Sequence, residues 1–161
     1  MGTARRYGLA RAEEIAGMTG KEVLQAIVEG RLPAPSITST LAFELVEVGD
    51  GLAVFEGDPG PQLLNLLGTV HGGWALTLID SAAGCAAHSL LPPGVGYATV
   101  ETKGNFSRPI TAGTGRVRAV GRVVGRGRQI VSAEVHVLDA EGRVVAHGTS
   151  TILVLHGEGL A

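Results

Sequence analysis

At 161 residues the chain is long enough for one domain with a real core, and 45% apolar residues of which few are aromatic make that core one of Val, Leu, Ile and Ala. Thirteen basic against 15 acidic residues, with no run of one sign, argue against a nucleic acid or a membrane surface as the main partner. A lone cysteine, Cys85, excludes an intrachain disulfide framework, and charged residues near the start leave no apolar stretch for a signal peptide, so the expected compartment is the cytoplasm.

Residues 1–36 read as a short helical lead. Thr19 and Glu22 have capping-box spacing, Val23, Leu24, Ile27 and Val28 make one apolar face, Gly30 stands where the helix should stop, and Pro33 and Pro35 end the segment. Leu41 to Val48 and Leu52 to Glu56 alternate around Gly49, Asp50 and Gly51, the pattern of a β-hairpin. An apolar stretch from Trp74 to Leu90 reads as one long helix, too rich in Thr77, Asp80, Ser81, His88 and Ser89 for a membrane span. Leu91, Pro92, Pro93 and Gly94 break the chain. Four strands are then expected, near Tyr97–Ser107, Gly115–Val124, Gln129–Asp139 and Arg143–Leu155, the last two joined by a turn at 139–142. One helix across one antiparallel sheet, spanning 37–157, is an α+β domain. Arg116, Arg118 and Arg122 alternate and read as a solvated strand face, and His136, His147 and His156 read as surface or core residues.

Asp80 is the one charged residue of the long helix. Burying an unpaired carboxylate is costly, so Asp80 is either a reactive group or a core carboxylate satisfied by backbone amides or a neighbouring hydroxyl. Gly72 and Gly73 fall at the helix N-terminus, where backbone N–H groups lack partners and the dipole favours negative charge, and with no Cβ they let a carbonyl oxygen come close. That end suits an oxyanion. Eight residues separate Gly72 from Asp80, about 12 Å along the axis, whereas a reacting carbon must lie about 3 Å from both donor and attacking atom. Two copies with their helices antiparallel across a two-fold axis would bring the two ends together in two identical sites.

Asn65, Gly68, His71, Gly72, Gly73 and Asp80 together resemble the signature of the hot-dog-fold acyl-CoA thioesterases, in particular the phenylacetate-degradation branch, and the order of elements from Ser39 to Leu155 is similar to that family. The resemblance implies a long central helix wrapped by one antiparallel sheet, an acyl-CoA substrate, and a homodimer or dimer of dimers with sites at the subunit interface; the motifs of the chain themselves imply no metal and no redox cofactor. It makes the Gly72 N–H the donor to the thioester carbonyl. Asp80 acts from the partner as general base or nucleophile, Asn65 orients water or thioester, His71 holds the loop or contacts substrate, and Thr99 stands beside the attacking water. The thioester would lie near Gly73, with Arg108, Arg126 and Arg128 as candidates for the CoA phosphates. Asn65 equally suits a turn, His71 a structural hydrogen bond and Thr99 plain strand propensity. Cys85 and His88, three apart on the helix, resemble a nucleophile pair, but they sit towards the C-terminus, where the dipole disfavours a thiolate. The other readings are a hot-dog hydratase or dehydratase and a non-catalytic acyl-CoA-binding protein on the same fold. No Gly-x-Ser-x-Gly elbow, phosphate-binding glycine loop or clustered His and Cys spacing is present.

Overall fold

The long helix buries one face, in pairs four residues apart: Trp74 and Ala75, Leu78 and Ile79, Ala82 and Ala83, Ala86 and Ala87. The computed structural model describes residues 5–157; the first four residues of the expected lead lie outside them. Its elements are α1 (Ala12–Ile15), α2 (Gly20–Val28), α3 (Ser36–Thr40), β1 (Phe43–Gly49), β2 (Leu52–Gly57), α4 (Gly72–His88), β3 (Gly96–Phe106), β4 (Val117–Arg126), β5 (Ile130–Leu138) and β6 (Val144–Leu155), with a 3₁₀ turn at Pro61–Leu63. The strands form one antiparallel sheet in the order β1-β2-β4-β5-β6-β3, and α4 lies against all six. This is the α+β hot-dog architecture.

Small residues set the distance between helix and sheet. Ala75, Ala82, Ala83, Ala86 and Ala87 of α4 are fully buried, and on the sheet Gly121 and Gly148 face them. A Cβ on Gly121 would stand 2.5 Å from the Ala82 carbonyl oxygen, so only glycine permits that approach. Leu78, Ile79, Val117, Val131, Val135 and Ile152 fill the layer between. The opposite face of α4, with Gly73, Leu76, Thr77, Asp80 and Ser81, is left partly exposed.

Local signals account for most boundaries. Thr19 and Glu22 make the expected capping box, and Gly30 takes a left-handed φ of 74° just past α2. The hairpin turns at Asp50-Gly51, with Gly51 at φ 66° and its N–H donating to Ser89 Oγ at 2.9 Å, which ties the hairpin tip to the end of α4. Two features differ from expectation. The chain does not leave helical structure at Pro35: Pro35 caps α3 instead, and Thr38 Oγ1 donates back to the Pro35 carbonyl. The long helix opens at the expected glycine pair, where the His71 ring caps it before the apolar run begins, but it stops at His88 rather than running to Leu90. Arg116 and Arg118 lie on the outer sheet face, paired with Glu47, Glu56 and Asp58, and His136 and His147 stand opposite each other on the same face. Among the described residues no helix is long and apolar enough to cross a membrane.

Candidate active site

His71, whose φ and ψ of −60° and 132° are extended, is the N-cap of α4, and its Nδ1 accepts the Gly73 N–H at 2.9 Å. An accepting Nδ1 carries no proton, so the ring is held in one orientation. Gly73 thereby has its amide occupied. The Gly72 N–H has no hydrogen-bond partner among the described residues and points out of the first turn, where the helix dipole adds to its pull on a negative oxygen.

Asn65 builds the loop that leads into this end. Its Oδ1 accepts from the Leu67 and Thr69 amides, its Nδ2 donates to Thr69 Oγ1, and Gly68 at φ 79° closes the turn. The Asn65 amide is therefore engaged within its own loop. Asn65, His71, Gly72, Phe106 and Arg108 line one hollow of about 340 Å³.

Asp80, two turns further along α4, lines a different hollow with Gly73, Thr77, Thr99 and Thr102. Asp80 Oδ1 accepts from Thr102 Oγ1 at 3.1 Å, and Oδ2 has no partner among the described residues. The carboxylate is thus neither buried among amides nor free: one oxygen is held and the other is unpaired, in a residue that lines the hollow. Thr99 shares this hollow, with its hydroxyl unpaired among the described residues.

A β-bulge at Val100 brings both threonines to the helix side. Thr99 lies opposite Ile152 and Glu101 opposite Thr151, so the register slips by one and Thr102, Gly104 and Phe106 turn inward while Glu101 and Lys103 turn out. Without the slip, strict alternation from Thr99 would aim Glu101 and Lys103 at α4. Thr102 and its neighbour Ser150 are the residues that sequence reasoning missed, and the signal for them was that pair of charges, whose burial the bulge avoids.

The remaining candidates lie elsewhere. Arg126 ends β4 and Arg128 lies in the β4–β5 connection, at the end of the sheet beside the C-terminus of α4 and about 24 Å along the helix from Gly72. Within one chain they join neither hollow. Cys85 and His88 share no hydrogen bond. One edge of Cys85 reaches the surface but its sulfur is buried, and that burial pushes the thiol up to about 12, so it stays protonated beside the Tyr97 hydroxyl. Burial also pushes the His88 imidazole below its ordinary value, and its ring lies 5.2 Å from that of Tyr97. No nucleophile pair results. Among the described residues no group of three or more His, Cys, Asp or Glu is placed to hold a metal ion.

Residues 67–146 match the family model described as the thioesterase superfamily. The Mycobacterium tuberculosis protein Rv1847, provisionally named an esterase, is 33% identical over 111 residues, which are 68% of this chain and 79% of that one. Its solved structure superposes with a TM-score of 0.71, covering 77% of this chain and 99% of that chain at 31% identity. The phenylacetic acid degradation protein PaaI of Thermus thermophilus is 30% identical with a TM-score of 0.67, over 73% of this chain and 97% of that chain. The Pseudomonas aeruginosa protein PA5202 is 31% identical with a TM-score of 0.70, over 74% and 94%.

Proposed function

From a chain that belongs to the thioesterase superfamily, we propose an enzyme that hydrolyses acyl-CoA or aryl-CoA thioesters to the carboxylic acid and free CoA. The observation that carries the proposal is the pairing of two half-sites on one helix: an unpartnered Gly72 N–H in one hollow and an open Asp80 oxygen in another. Each is what acyl transfer needs, and neither is sufficient alone.

A second copy of the chain completes the site. β3 is an 11-residue edge strand, and such an edge is a template for pairing with another chain. The residues around it are apolar and exposed: Leu66 at 96%, Leu67 at 80%, Val100 and Phe106 at 55%. Two β3 edges paired antiparallel would set the α4 helices side by side in opposite directions, with the Gly72 hollow of one facing the Asp80 hollow of the other. The same two-fold turns the partner's β4–β5 connection towards the Gly72 end. Arg128 and Arg126 of that chain, with Arg108 beside Gly72, are then the proposed contacts for the CoA phosphates.

In the proposed reaction the thioester carbonyl oxygen accepts the Gly72 N–H. Asp80 of the other chain takes a proton from water as the water oxygen bonds to the carbonyl carbon, and the negative charge that collects on the carbonyl oxygen is stabilised by the Gly72 amide. Collapse breaks the carbon–sulfur bond, and the proton on Asp80 passes to the leaving thiolate. If Asp80 attacks directly, the same carbonyl passes through a mixed anhydride that water then cleaves. Label found in Asp80 after single-turnover hydrolysis in heavy-oxygen water identifies the anhydride route with attack of water at the Asp80 carboxyl carbon, since the general-base route puts label only into the product. A cytoplasmic enzyme fits this soluble substrate.

The test is hydrolysis of a panel of acyl-CoA and aryl-CoA thioesters followed by thiol trapping, with Asp80→Asn beside the parent. The variant should lose about 10²-fold or more in kcat while folding and binding CoA as the parent does. A variant within a few-fold of the parent would make Asp80 a structural carboxylate and remove the basis of the proposal.

A further inference from the structure

Asp80, Thr102 and Ser150 form an unbranched chain of hydrogen bonds between α4, β3 and β6, with 3.1 Å from Thr102 Oγ1 to Asp80 Oδ1 and 2.9 Å between the two hydroxyls. Its direction follows from chemistry. An ionised carboxylate only accepts, so Thr102 gives its proton to Asp80 and accepts from Ser150, which is 2% exposed and has no other side-chain partner among the described residues. Hydrogen bonds in series polarise one another, so Ser150 strengthens the donor that Thr102 presents.

Among the described residues no cation does this work. The titratable groups around Asp80 are Glu101 and Tyr97 on β3 and Cys85 further along α4, while α3 brings only Ile37 to the hollow and β6 brings Ser150. Glu101 is turned aside, accepting from Thr151 at 3.1 Å. Every one of these ionisable neighbours is neutral or negative. The hydroxyl chain is therefore the one observed interaction that both favours the charged carboxylate and fixes its rotation.

Resting on the thioesterase reading above, we infer that Thr102, backed by Ser150, is a positioning residue that fixes the rotation of the Asp80 carboxylate so that Oδ2 is aimed into the site. It reaches Asp80 only because the Val100 bulge turns it inward.

Three variants of the full chain test this. Thr102→Val removes the hydroxyl but keeps the branched shape, Thr102→Ser keeps the hydroxyl, and Ser150→Ala removes only the back of the chain. For each, kcat and KM are measured on an acyl-CoA, and the Asp80 carboxyl carbon is titrated by NMR, its signal assigned by its loss in Asp80→Asn. Thr102→Val should lower kcat about tenfold with KM within about twofold, and should move the Asp80 titration to higher pH because a donor to the charged form is gone. Thr102→Ser should restore both readings, and Ser150→Ala should move both in the same direction by less. A titration that is unmoved in Thr102→Val and Ser150→Ala overturns the inference, as does a Thr102→Ser as impaired as Thr102→Val. If Thr102→Val does not fold, Ser150→Ala and Thr102→Ser decide the matter by the same readings. A parent that hydrolyses no acyl-CoA sinks the thioesterase reading instead, and the NMR titration, which needs no turnover, still decides whether Thr102 controls Asp80.

Discussion

If each site is shared, two dead chains should make one living site. The first chain is Asp80→Asn. The second is Gly72→Pro, chosen because the structure tolerates it: Gly72 is the first residue of α4, its N–H has no partner among the described residues, and proline at that position gives up only an orphan donor. His71 before it already has the extended ψ of 132° that a following proline demands. A Cβ on Gly72 would lie 3.2 Å from Cζ of Phe106, a ring 55% exposed and therefore able to move aside. Each variant alone should fall about 10²-fold, one for want of the base and the other for want of the oxyanion donor. Co-expression of the two at equal levels with different tags makes half of the dimers mixed, and each mixed dimer has one site with both Gly72 and Asp80 and one site with neither. The bulk sample should recover half of a half, about one quarter of parental activity, or roughly 25-fold above either variant alone. Thiol trapping reads the rate, tandem-tag purification isolates the mixed dimers, and circular dichroism checks folding. Mixed dimers that form, fold and stay at the level of the single variants would refute the shared site, and Gly72→Ala, which keeps the N–H, should remain active as the control.

Arg128→Ala should raise KM for acyl-CoA several-fold with little change in kcat, and should leave a truncated pantetheine thioester unaffected, because a contact with a remote phosphate contributes uniform binding; equal harm to both substrates would give Arg128 a role in the β4–β5 connection instead. For His88 the folded value lies below the ordinary 6.5 because of burial, so its contribution to stability is present above that pH and is lost as pH falls through 6.5 towards the folded value. His88→Gln should therefore flatten the fall of Tm between about pH 7 and about pH 5, and parallel curves for parent and variant would assign the acid sensitivity to other groups.

What could be read from the sequence was what local chemistry dictates. The Thr19–Glu22 cap, the Asp50-Gly51 turn and the glycine pair opening the long helix each depend on residues within a few positions of one another, and each is found where it was expected. Both ends of the proposed site are local features for the same reason: a carboxylate in an apolar helix and a glycine at its start are visible without a partner strand. Hydropathy alone would have started the helix late, at Trp74; the glycine pair marked the true start, which the His71 cap fixes. α3 was missed because five residues show no periodicity.

The contacts of Asp80 were harder to read, since Thr102 and Ser150 lie 22 and 48 positions away from their respective partners along the hydrogen-bonded chain. Their meeting depends on the register of β3 against β6, and register depends on a bulge. Alternation alone makes Thr99 a neighbour of Asp80 and turns Thr102 outward; the extra residue Val100 keeps Thr99 in place and adds Thr102 beside it. One strand thereby brings two threonines, three residues apart, to the hollow of one carboxylate, which no regular strand can do. Straightening the bulge with Val100 kept in the strand would put the next inward positions at Glu101 and Lys103, a charge against α4 in place of a hydroxyl. The bulge is thus where a local irregularity in the sheet becomes a property of the proposed site, and it is the element that joins the fold to the chemistry.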